Sequence, residues 1–187
     1  MSDQVELTNP VELSVGGMSG HVLRRGIHLA MSLLPFLYFE FGEDVADAVS
    51  LTLEQVVSSV ILIAIFGEAL RLKMGWTIIG QRSYEAKQVS ALAWGALGVG
   101  MVFLLTPEPE YAYPLILSLS LGDPLLGELR RKGVSTQTVI LAGTAGIAVI
   151  WAACAVWVAT PWVLVLLMAP ICVAAEWPRL RYIDDNA

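Results

Sequence analysis

The sequence predicts an all-α polytopic membrane helix bundle of about six transmembrane helices, with the N-terminus and the C-terminus both cytoplasmic. Three observations carry that expectation. The 187 residues are 56% hydrophobic and only 15% charged, where a soluble domain carries about a quarter charged residues; mean hydropathy is +0.68. The apolar residues come in stretches long enough to span lipid. And all eleven Lys and Arg fall into groups that fit one side of a membrane: Arg24 and Arg25; Arg71, Lys73, Arg82 and Lys87; Arg130, Arg131 and Lys132; Arg179 and Arg181. Cationic side chains in short loops are retained in the cytoplasm during insertion.

Residues 1–20 form a polar N-terminal segment without Lys or Arg, carrying Asp3, Glu6 and Glu12. A secretory signal needs a basic start and an apolar stretch, so none is expected here. Residues 21–187 are expected to form one membrane-embedded helical domain. The first span is expected over His21–Phe41 and the second over Val45–Leu70, with an outer turn at Gly42–Asp44. The third, Gln88–Thr106, is bounded by Lys87 and Glu108 with no charge between. The fourth, Tyr111–Glu128, contains Gly122-Asp123-Pro124, where a break is expected because Pro withholds an N–H and bends a helix. The uncharged run Gly133–Ala175 is too long for one span, and Thr160-Pro161 is the natural turn between two. The long inner loop Arg71–Lys87 is amphipathic enough for a short surface helix.

The net charge of −6 argues against nucleic acid, which needs a basic footprint. Cys154 and Cys172 lack metal-type spacing and read as small buried hydrophobes. Small residues at Gly95–Gly100 and Ala142–Gly146 suit close helix packing, within the chain or in a homo-oligomer.

Asp123 is the first candidate for chemistry. A carboxylate inside the bilayer costs about 2.5–3.5 kcal/mol on insertion scales, and Gly122 and Pro124 flank it. Such a site suits Mg²⁺ with a phosphate-bearing ligand; the plain alternative is a capping Asp. Arg24, Arg25 and His28 open the first helix and suit phosphate, although anchoring to anionic headgroups would also explain the arginines. Glu68 with Arg71, and Arg82 with Glu85, are each by default a surface ion pair worth under about 1 kcal/mol. Glu176 and the tail Asp185-Asn186 add polar groups on the same side. Arginines and carboxylates converging there suit metal–nucleotide phosphoryl chemistry on an embedded substrate.

The ordered set of motifs resembles the dolichol kinase and phytol kinase family of CTP-dependent lipid-alcohol kinases, related to the phosphatidate cytidylyltransferases. Arg24-Arg25-Gly26-Ile27-His28 is similar to its first-helix element. Glu68-Ala69-Leu70-Arg71 and Arg82-Ser83-Tyr84-Glu85 are similar to its Glu-x-x-Arg and Arg-x-x-Glu. Gly122-Asp123-Pro124 is similar to its Gly-Asp-Pro, and Glu176 with Asp185-Asn186 to its late Glu and Asp-Asn. Lys132–Thr138 lacks the acid and the glycine of the family's Lys-Ser/Thr-x-Glu-Gly element.

The charge pattern places the site of this cell-membrane protein on the cytoplasmic face, and the resemblance implies a kinase with CTP as phosphoryl donor, Mg²⁺, and a polyprenol-like isoprenoid alcohol as acceptor. It implies Asp123 and His28 as catalytic residues, and Asp123 and Asp185 at the metal. The nucleotide would be held by Arg24, Arg25, Glu68, Arg71, Arg82, Glu85, Gly122, Glu176 and Asn186. The alternatives are cytidylyl transfer to a lipid phosphate, and a non-catalytic protein that binds or moves anionic lipid.

Overall fold

The computed structural model describes residues 14–176. Among them the regular elements are all helices, with one isolated antiparallel bridge between Ser14 and Arg82 and no strand. The order is α1 (Gly17–Met31), α2 (Leu34–Ala48), α3 (Leu53–Met74), a 3₁₀ turn (Ser83–Lys87), α4 (Ala91–Leu105), α5 (Pro109–Leu117), a π turn (Ser118–Gly122), α6 (Asp123–Arg131), α7 (Thr136–Trp157) and α8 (Trp162–Ala175). Helices α3 and α7 are long and apolar enough to cross a membrane; α4 and α8 are apolar but shorter.

The first expected span is bent rather than straight. Pro35 lies in the first turn of α2; it has no N–H, and its ring crowds the carbonyl four residues back. The chain therefore turns at Ser32-Leu33, where Ser32 Oγ donates to Leu29 O at 2.6 Å. The outer turn expected at Gly42–Asp44 is displaced. Glu43, Asp44 and Asp47 lie inside α2, and the turn falls at residues 49–52. There Ser50 takes a left-handed φ of 55°. Thr52 and Gln55 then form a reciprocal cap: Gln55 N donates to Thr52 Oγ1 at 3.3 Å and Thr52 N to Gln55 Oε1 at 2.9 Å. That cap, not the acidic cluster, starts α3.

Gly122-Asp123-Pro124 does not break its helix. Gly122 and Asp123 keep helical angles, and the π turn just before them absorbs the proline. Ser120 Oγ bonds Ile116 O at 2.6 Å inside this turn. Residues 75–82 form no helix either. They fold back on α1: Val15 N donates to Gln81 O at 2.8 Å, and Gly80 N to Val15 O at 3.0 Å. Gly80 has φ +93°, and a Cβ on it would stand 3.2 Å from Gly20 O, so the two backbones meet where only glycine fits. The expected turn between the last two helices is confirmed, with Ala159 in the left-handed region.

Two apolar cores hold the bundle. Leu126, Val139, Ile147, Trp151 and Val173 join α6, α7 and α8; Ile61, Val99, Phe103 and Ile116 join α3, α4 and α5. Gly100 lets α4 close on α3, because a Cβ there would be 2.6 Å from Ile61 Cδ1. Rings of Phe36, Phe39, Tyr113 and Trp157 stack at the end of the bundle away from α6.

Candidate functional site

α1 brings three of its polar side chains to three different partners. Arg24 Nη1 donates to Glu85 Oε1 at 2.8 Å. Arg25 Nη1 donates to Glu128 Oε2 at 2.7 Å. His28 Nδ1 lies 3.5 Å from Asp123 Oδ2. His28 is buried and Asp123 is partly exposed at the start of α6. The π turn sets that last contact, because it fixes which way α6 faces before Asp123 begins it. Helical irregularities of this kind occur often at functional sites.

Glu85 is 1% exposed and ties three elements together. Besides Arg24 it accepts from Arg82 N at 2.9 Å and from Ala91 N at 3.2 Å, the latter at the start of α4. The expected side-chain pair of Arg82 with Glu85 is thus replaced by Arg24 with Glu85. Arg82 Nη1 donates instead to Tyr84 Oη at 2.6 Å.

Glu68 and Arg71 do pair, but not as an exposed pair; both are largely buried. Arg71 binds the two Glu68 oxygens at 2.7 and 2.8 Å and also donates to Trp76 O at 2.7 Å and Gln88 O at 2.9 Å. Ser90 N completes Glu68 at 2.6 Å. The pair clamps both ends of the 76–88 segment. Glu68 and Glu85 thus cap the start of α4 on the neighbouring N–H groups of Ser90 and Ala91, and among the described residues no hydrogen bond or ion pair joins the Glu68–Arg71 pair to Asp123.

A small cavity of about 40 Å³ opens between α1, the 78–81 segment and α4; Arg24, Ile27, His28, Ile79, Glu85 and Leu92 are among its lining. That is room for about one water, far below the roughly 300 Å³ at which small-molecule pockets begin. Glu176 lies 3.7 Å from Arg130 Nη1. Gly122 is buried against Ile147, where a Cβ would stand 3.3 Å from Cδ1. Asp185 and Asn186 lie outside the described residues.

Among the described residues no group of three or more His, Cys, Asp or Glu comes together. A full protein cage for a metal is therefore not found there. An Mg²⁺ carried on phosphate oxygens needs only one or two carboxylates, and Asp123 supplies one.

The sequence marks Glu128 only as the end of a span and Arg131 only as one of a cationic group. Arg131 donates to Glu128 at 2.6 and 3.1 Å, so Glu128 serves two arginines. Their spacing repeats the Glu-x-x-Arg of Glu68 and Arg71, and that repeat was the available signal. No protein family, curated protein or solved structure matches this chain.

Proposed function

We propose that the chain is a membrane-embedded phosphotransferase that moves the terminal phosphoryl group of a nucleoside triphosphate, CTP by resemblance, to a lipid alcohol such as a polyprenol. The observation that carries this is the meeting of His28 and Asp123 from distant parts of the chain, 3.5 Å apart, beside a cavity with an apolar wall. Ile78 and Ile79 line that cavity and are 50% and 59% exposed, a surface suited to an isoprenoid chain.

In the reaction the lipid hydroxyl oxygen bonds to the terminal phosphorus. The bond from that phosphorus to its bridging oxygen breaks, and the nucleoside diphosphate leaves. Asp123 orients the ring through Nδ1, and Nε2 of His28 takes the hydroxyl proton. A 3.5 Å separation is slightly long for a hydrogen bond; such pairs tighten when substrate binds. Mg²⁺ on the donor phosphates would neutralise their charge, with Asp123 as the protein carboxylate nearest to hand.

The same pair favours an alcohol over a lipid phosphate as acceptor. A lipid phosphate is already ionised and needs no base, whereas an alcohol gains from one. The pairing of Arg24 with Glu85 and of Arg71 with Glu68 also argues against a protein that merely collects anionic lipid. Membrane embedding is supported by the length of α3 and α7 and by exposed Trp76, Trp157 and Trp162 at or near helix ends, where tryptophan favours the lipid–water interface; the arginine-bearing end is placed inside by its cationic groups alone.

The test is purified protein in lipid with labelled CTP or ATP and a panel of isoprenoid alcohols. We expect a phosphorylated lipid, and a loss of about 10²–10⁴-fold in rate for Asp123→Asn and for His28→Gln. Full activity in both variants, or no transfer with any donor and acceptor, rejects the reading.

A further inference from the structure

α1 and α6 run antiparallel and meet through two bridges. One is His28 with Asp123. The other is a three-membered group in which Glu128 takes Arg25 Nη1 at 2.7 Å on Oε2, and Arg131 Nε and Nη2 at 3.1 and 2.6 Å. Two guanidinium groups on one carboxylate leave a net positive charge. Each guanidinium has five N–H donors; among the described residues Arg25 and Arg131 donate to Glu128 alone. The group is open to solvent, with Arg25 at 30%, Glu128 at 26% and Arg131 at 50% side-chain exposure. Gly127 leaves one edge of Arg25 uncovered: a Cβ there would lie 4.0 Å from Nη2.

We propose that Arg25 and Arg131, held together by Glu128, form a binding site for a phosphate group. The carboxylate fixes the two guanidinium groups in position, and their remaining N–H donors match phosphate oxygens. Arg25 and His28 are three residues apart on α1, Glu128 and Asp123 five apart on α6. Along the helix axes the site is therefore roughly 5–8 Å from the His28–Asp123 pair. A phosphate tail anchored there extends toward His28. Assigning that tail to the donor nucleotide rests on the phosphotransfer reading; a phosphate-bearing lipid headgroup is the other source of the same chemistry. Arg131 is then a positioning residue for the donor.

The experiment measures binding of CTP, of inorganic pyrophosphate and of a short-chain phosphatidate to the full chain in detergent by titration calorimetry. Two variants are compared with wild type. Arg131→Ala removes a guanidinium. Gly127→Leu keeps every charge but covers Arg25, at a helical position where leucine is well tolerated. We expect both to weaken CTP and pyrophosphate binding at least about tenfold, with thermal midpoints near wild type and with Arg131→Lys recovering part of the loss. Asp123→Asn should still bind CTP while losing turnover. Wild-type affinity in both Arg131→Ala and Gly127→Leu overturns the site, and leaves phosphotransfer standing if wild-type turnover is present. If wild type binds no nucleotide but binds the phosphatidate, and Arg131→Ala abolishes that binding, the phosphate site stands with a headgroup as its ligand. In that case the phosphotransfer reading fails. Binding of neither ligand overturns both.

Discussion

Replacing Glu85 with Ala should be among the most destabilising single changes in the chain. Glu85 is 1% exposed and Arg24, its partner, 15%. The substitution removes one acceptor of the Arg24 guanidinium, and the acceptor of the backbone N–H groups of Arg82 and Ala91. Breaking a buried ion pair by removing one partner costs about 3–5 kcal/mol, because the other charge stays behind. Each orphaned backbone donor adds about 1 kcal/mol or more where water cannot enter. Arg24 is not wholly enclosed and can recover some hydration, which offsets part of the sum. A net loss of about 4 kcal/mol follows. For a chain of this size that lowers the thermal midpoint by about 8–16 °C. The assay is thermal unfolding in detergent followed by tryptophan fluorescence. Glu85→Gln should fall between, since it keeps an acceptor and loses the charge. Arg24→Met combined with Glu85→Gln should be more stable than the two single losses added together. A midpoint within about 2 °C of wild type for Glu85→Ala would refute the view of Glu85 as the tie between α1, the 3₁₀ turn and α4.

Three other outcomes test the packing. Gly100→Ala should cost about 1–3 kcal/mol of overpacking against Ile61, less the roughly 1 kcal/mol that Ala gains in helix propensity. Combined with Ile61→Ala it should cost less than the sum of the single changes, read from midpoints. Arg71→Lys loses the fork that grips Glu68, Trp76 O and Gln88 O together, so chymotrypsin should cut after Trp76 and Tyr84 several-fold faster, read by mass spectrometry. Trp151→Phe removes the bond from Nε1 to Ser118 Oγ, 2.9 Å long and buried. It should cost about 1–3 kcal/mol, and pairing it with Ser118→Ala should recover part of that.

Most helices could be read from the sequence, because apolar length and the charges that bound it are local signals. The turn after α2 was misplaced for a physical reason. Glu43 and Asp44 suggested a solvated loop, yet a helix near its end tolerates exposed acids, while the Thr52–Gln55 cap fixes where the next one starts. The site was legible in its members but not in its pairings. His28 and Asp123 stood out singly, and the structure joins them. Glu85 looked like a partner for nearby Arg82, but it pairs with Arg24, 61 residues away. Sequence spacing carries no information about such a contact. Glu128 was passed over as the polar end of a span, although it repeats the spacing of Glu68 with Arg71.

The π turn at Ser118–Gly122 has one more consequence. A wide turn holds about one residue more than the α-helix it interrupts, so it acts as a phase correction in the winding of the chain. Were the same residues wound as regular α-helix, the surplus one would swing all that follows by about 100°. Asp123 and Glu128 would then rotate off α1 together. A deletion of one residue between Leu117 and Gly122 removes that surplus, so the segment rewinds to α-helix with Asp123 and Glu128 still facing the first helix.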